Sequence, residues 1–154
     1  MGYRCDVRIA TTVTGFEKIK KLAPEYYADM LRKHKVIKED GELITIEQNG
    51  MQICYEKKFW LLEHANVYAT TRDDKFVLFG WDDIKWMGYS FDDLMAMRKA
   101  FKDCGEPVHL VAIGEDGADE DNAWNTDDVY EDLPMLETLR DWDYDNEWDF
   151  KKGA

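Results

Sequence analysis

The chain reads as one α+β domain, and three observations carry that prediction. Apolar residues alternate with polar ones near the start of the chain, and apolar strand-like runs return at Lys75–Trp81 and Pro107–Ile113. Two stretches repeat apolar residues at three- and four-residue steps behind helix-capping residues, and an Asn49-Gly50 pair sits between two further strand-like runs. The length of 154 residues fits one domain, since a chain of about 150 residues buries roughly 68–70% of its unfolded surface.

Taken in order, Tyr3 to Val13 places Tyr3, Cys5, Val7 and Ile9 on one side and Arg4, Asp6, Arg8 and Ala10 on the other, a half-buried strand. Thr14-Gly-Phe-Glu17 has capping-box spacing, so a helix follows, with Phe16, Ile19, Ala23, Tyr26, Met30 and His34 as its stripe. Pro24 lacks a backbone donor, which predicts a helix in two pieces divided near Ala23. Leu43–Gln48 and Met51–Glu56 make a hairpin around Asn49-Gly50. Phe59–His64 and Val67–Thr71 fit either strands or a loop excursion. Lys75–Trp81 is nearly all apolar and reads as a strand covered on both faces. Ser90-Phe-Asp-Asp93 caps a second helix whose stripe of Phe91, Leu94, Met97, Phe101 and Cys104 ends at Gly105. Pro107–Ile113 is apolar on both faces and therefore central.

With Met51–Arg72 set aside as a β-rich insertion, the order is β-α-β-β-α-β. That is the ferredoxin-like arrangement, an antiparallel sheet with two helices on one face. Charge divides the chain further. Residues 1–114 hold eighteen acids and seventeen bases, whereas Glu115–Asp149 holds fifteen acids and the single base Arg140. The organisation is a near-neutral core, 1–114, and an acidic, aromatic C-terminal extension, 115–154, packed on the same domain.

Composition and motifs exclude several functions. No apolar run approaches the ~20 residues of a membrane helix, and the first residues lack a secretory pattern, so a cytoplasmic protein is expected. Cys5, Cys54 and Cys104 form no CxxC pair and read as reduced, mostly buried side chains. Ser90, the only serine, is used as a cap, which removes serine hydrolase chemistry. No phosphate-binding glycine loop is present, and Gly114-Glu-Asp-Gly117 is too acidic to replace one. His34, His64 and His109 lack zinc-ligand spacing. Asp116, Asp119, Asp121 and Asp127 lack the register of a calcium loop and read as a solvated acidic loop. Cys104 and His109 are close in sequence, but packing is the simpler role for both. Adjacent Asp82 and Asp83 point to opposite faces of a strand and make a poor acid–base pair. No catalytic residue, cofactor or metal is called for.

One segment carries the functional expectation. Asp141, Asp143, Asp145, Glu147 and Asp149 alternate with Trp142, Tyr144, Trp148 and Phe150 around Asn146. In an extended chain, residues two apart lie about 6.6–6.8 Å from each other, comparable with successive phosphates along a nucleic-acid strand. Such a comb suits a basic groove that normally holds nucleic acid, while nucleic acid itself is repelled. The expected contacts are Asp141, Trp142, Asp143, Asp145, Glu147, Trp148 and Asp149, with Asp127 and Asp128 adding charge. Two alternatives stand beside this: carboxylates that only solvate and protect an edge strand, and a helix beginning at Pro134 with Leu136, Leu139 and Trp142 at three-residue steps.

Three stretches, Met1-Gly-Tyr-Arg-Cys-Asp-Val-Arg8, Trp81-Asp-Asp-Ile-Lys-Trp86 and Ile113-Gly-Glu-Asp116 with its acidic continuation, resemble a loose group of small bacteriophage and prophage proteins. The resemblance implies a compact α+β protein from a phage accessory gene, acting in the host cytosol. Small acidic proteins of that kind are often inhibitors of host machinery, including CRISPR effectors with basic channels. The expected function is thus non-enzymatic, anti-CRISPR-like inhibition of a host nucleic-acid-binding protein with a basic surface, without direct contact to nucleic acid or membrane. The competing expectation is a protein that sequesters a nucleotide signal between Trp60, Trp81 and Trp86.

Overall fold

The computed structural model describes residues 5–57, 62, 64–71, 73–84, 91–114, 117–125 and 148–151. The elements run β1 (Cys5–Thr12), α1 (Val13–Leu31), β2 (Lys35–Asp40), β3 (Leu43–Gln48), β4 (Met51–Glu56), β5 (Val67–Thr71), β6 (Phe76–Ile84), α2 (Phe91–Asp103), β7 (Val108–Gly114), β8 (Gly117–Trp124) and β9 (Trp148–Lys151). They build a six-stranded sheet in the order β8-β7-β1-β6-β5-β9 and a three-stranded sheet in the order β2-β3-β4, with every strand pair antiparallel.

The fold is α+β with two helices, as expected, but it holds more strands than the sequence suggested. The expected second strand of the main sheet, Leu43–Gln48, lies instead in the three-stranded sheet. Its place beside β6 is taken by Val67–Thr71, from the segment set aside as an insertion. Alternation alone does not say which sheet a strand joins. The hairpin itself lies where its turn placed it, with Asn49 and Gly50 both at positive φ, the geometry that this turn demands.

Two corrections concern α1. Its cap is Thr12 rather than Thr14: the Thr12 hydroxyl accepts the Gly15 N–H at 2.9 Å and the helix begins at Val13. It also runs unbroken through Pro24. Proline forfeits one hydrogen bond, but buried Ala23, Tyr27, Ala28 and Leu31 flank it, and that packing keeps the segment helical across the proline. The buried stripe passes through Tyr27 and Leu31 rather than Tyr26 and Met30.

A single apolar cluster joins both helices to one face of the main sheet. Val7 and Ile9 of β1, Phe79 and Trp81 of β6, and Leu110 and Ala112 of β7 meet Phe16 and Ile19 of α1 and Met97 and Phe101 of α2. Phe16 packs on Phe79 with ring centroids 4.8 Å apart and on Tyr68 at 5.6 Å, which fixes the first turns of α1 over β5 and β6. Each such side chain, when fully buried, contributes about 1.5–3 kcal/mol. Ile44 and Ile46 of β3 enter the same cluster, so the smaller sheet shares this core. The opposite face of the main sheet is also buried at Ala10, Ala69, Leu78, Val111 and Ile113.

Candidate functional site

The acid-rich quarter of the chain supplies both edges of the six-stranded sheet. β8 pairs with β7 along one edge, and β9 pairs with β5 along the other. Of the expected contact residues, Trp148 and Asp149 lie in β9, in register with Thr71 and Thr70. The final residues of the comb are therefore in a strand. Asp127, Asp128, Asp141, Trp142, Asp143, Asp145 and Glu147 lie outside the described residues, as does the helix suggested to begin at Pro134.

The β8 carboxylates with described side chains are committed within the domain. Glu120 receives Arg98 of α2 at 2.6 Å and the Asn122 amide at 2.7 Å. Asp121 lies 2.7 Å from Nε2 of His109. Trp124 completes this edge by packing on Phe101 at 5.0 Å, with the Arg98 guanidinium 6.0 Å from its ring centroid. These contacts fasten β8 to α2 and β7; Glu120 is largely covered by them, whereas Asp121 stays half-exposed beside His109.

A polar strip crosses the sheet face opposite the helices. Arg8 on β1 is only 1% exposed, and its Nη2 donates to Asp82 Oδ1 at 2.7 Å, while Nη1 reaches the carbonyls of Val7 at 3.2 Å and Trp81 at 3.3 Å. Register sets this up, because Arg8 lies opposite Gly80 on β6 and Val111 on β7, with Asp121 of β8 next along the row. A buried guanidinium requires such partners, since an uncompensated charge is costly to bury. Alternation within the first strand had placed Arg8 on the solvent side; the sign that this face is covered lies in the neighbouring strands, β6 and β7, which are apolar on both faces. Among the described residues, Asp82 acts as a counter-ion of Arg8.

The other candidate chemistries separate in space. Cys104 packs in the helix-side cluster and donates to the Phe101 carbonyl at 3.2 Å, whereas His109 lies on the opposite sheet face beside Asp121. They do not form a nucleophile pair. Burial also pushes the Cys104 thiol up, away from thiolate. Cys54 is exposed, against the expectation of mostly buried thiols only in that one case. Trp81 is buried, with Phe79 edge-on at 6.3 Å, and so offers no stacking surface to a nucleotide; Trp60 and Trp86 lie outside the described residues. Among the described residues no group of three or more acidic, histidine or cysteine side chains is arranged to hold a metal ion, and no helix is long and apolar enough to cross a membrane. No family model, curated protein or solved structure matches the chain.

Proposed function

We propose that this protein is a non-enzymatic inhibitor of the phage anti-defence kind, which docks its acidic C-terminal quarter on the basic, nucleic-acid-binding surface of a host protein. The observation that carries the proposal is β9: Trp148–Lys151 is an edge strand. An extended chain gives alternate carboxylates the phosphate-like repeat that a row of Lys and Arg would meet. The charge distribution supports it, since the excess acidity lies between Glu115 and Asp149 while the remainder of the chain is nearly balanced. With Glu120 and Asp121 tied internally, the docking charge falls to Asp127, Asp128 and the run from Asp141 to Asp149, with Trp142 and Trp148 as aromatic anchors. The protein would work in the host cytosol.

The finer architecture belongs to the same proposal. The order β7-β1-β6-β5 under α1 and α2 follows a ferredoxin-like scheme, to which β8 and β9 add one strand at each end.

The test is a pull-down from a lysate of the bacterial host at low and high salt. A basic nucleic-acid-binding protein should be retained at low salt, released by high salt, and displaced by added nucleic acid. Absence of any basic partner at low salt would sink the proposal.

A further inference from the structure

The two outer edges of the three-stranded sheet are built differently. β2 places Lys35, Lys38, Glu39 and Asp40 in six residues and breaks register between Val36 and Lys38, with Ile37 as the extra residue. Charges, lysine above all, and a bulge are devices that stop an edge from pairing. β4 has neither. Met51–Glu56 pairs with β3 through six consecutive positions without a shift and carries one charge, Glu56.

The turn decides which β4 groups point outward. In a two-residue hairpin the flanking residues, here Gln48 and Met51, exchange both backbone hydrogen bonds, and so do every second pair beyond them, Ile46–Ile53 and Ile44–Tyr55. The N–H and C=O groups of Gln52, Cys54 and Glu56 therefore face away from β3, and no strand pairs with them among the described residues. On the core-facing side, Ile44 and Ile46 are fully buried, but their partners Tyr55 and Ile53 are only partly covered and Met51 is 64% exposed. An apolar row thus runs to the edge and stops half-covered.

We propose that the β4 edge binds a second copy of this chain, pairing antiparallel about a two-fold axis centred on Ile53, so that the two small sheets form one six-stranded sheet. A two-fold normal to the sheet keeps the faces matched only when residues of the same face meet. This register satisfies the condition: Ile53 meets its mate and Met51 meets Tyr55 of the second copy on one face, Gln52 meets Cys54 on the other, and no like charges stand opposite. The blunted β2 strands become the two outer edges, so the assembly closes at two copies.

Sedimentation equilibrium of the full chain from about 1 µM to about 1 mM spans the affinities open to a small strand-pairing interface. The wild type should be a dimer in the upper part of that range. Each copy carries a formal charge of −13, so added salt should leave the dimer unchanged or tighten it, the opposite of its effect on docking to a basic partner. Gln52→Pro deletes an outward N–H without touching the β3 ladder and should give a monomer of unchanged circular dichroism, whereas Ile37→Lys on β2 should remain a dimer. Should Gln52→Pro fail to fold, the wild type decides the matter. Cys5 and Cys104 are buried and Cys54 is exposed, and the proposed register sets the two Cys54 Cα atoms about 9 Å apart. A short bismaleimide should then link two copies through Cys54, and Cys54→Ser should abolish the product. A wild type that stays monomeric throughout, with Cys54 modified but never cross-linked, would overturn the proposal, and so would a folded Gln52→Pro dimer.

Discussion

Gly80 sits in β6 opposite Arg8, where the two central strands of the main sheet approach so closely that a side chain has no room. A Cβ added at Gly80 would lie 1.9 Å from the Val7 carbonyl oxygen and 3.2 Å from the Arg8 Cα. Ordinary contact begins near 3.4 Å, so β1 and β6 must part locally by about 1.5 Å. Backbone hydrogen bonds of about 2.9 Å then stretch beyond 4 Å and are lost. Two such bonds, at roughly 1 kcal/mol each, together with 1–3 kcal/mol of overpacking strain, give Gly80→Ala a cost of about 4 kcal/mol. With a urea slope near 2 kcal/mol per molar, the unfolding midpoint should fall by about 2 M at unchanged slope. A fall of less than about 0.5 M would refute the reasoning, because the strands would then have accommodated the methyl group without breaking their ladder.

Three further outcomes follow from the charge pairs. Asp82→Ala removes the carboxylate from the buried Arg8 guanidinium and should cost about 2 kcal/mol, reduced from the fully buried case because Asp82 is 53% exposed, while Arg8→Met should cost less than Asp82→Ala; urea unfolding of the two variants measures both. Glu39 accepts hydrogen bonds from Arg32 and Lys57 that hold its carboxyl down at about 2. Its contribution is present above the ordinary value of 4.5 and is lost as pH falls toward 2, and Arg32→Gln should move its carbon-detected NMR titration upward. Tyr26 donates to Asp103 at 2.7 Å, which pushes its phenol up to about 12. Its contribution is present below pH 10 and is lost between about 10 and 12; ultraviolet titration should show a late phase that loses one tyrosine toward 10 in Asp103→Asn.

Local chemistry made much of the fold legible. The Asn49-Gly50 turn, the stripe of α2 and the apolar runs of β6 and β7 each act within a few residues, and each element lies where its pattern placed it. β2 carried a comparable signal in Gly41, which opens the two-residue turn Gly41-Glu42 between Asp40 and Leu43 at positive φ, although Lys-Val-Ile-Lys-Glu-Asp, exposed at every position, lacks the alternation of a half-buried strand. Pairing partners were not legible. Whether Leu43–Gln48 or Val67–Thr71 lies beside β6 depends on contacts between segments far apart in sequence, which neither segment's own pattern encodes. The ion pair of Arg8 with Asp82 and the contact of His109 with Asp121 depend in the same way on register between strands. For the candidate site, sequence marked the acidic quarter, and the fold adds that its described parts form the edges of the main sheet and that Glu120 and Asp121 are already engaged.

The central claim rests on the carboxylates between Asp141 and Asp149, and its most direct test neutralises them. The full chain and a variant with Asp141, Asp143, Asp145 and Asp149 changed to Asn and Glu147 to Gln should be used as baits for the same host lysate over a salt series. The wild type should retain a basic nucleic-acid-binding protein with retention that falls steeply as salt rises, and the variant should retain little at any salt. Equal retention by the two baits, or retention by the wild type that salt does not weaken, would contradict the claim.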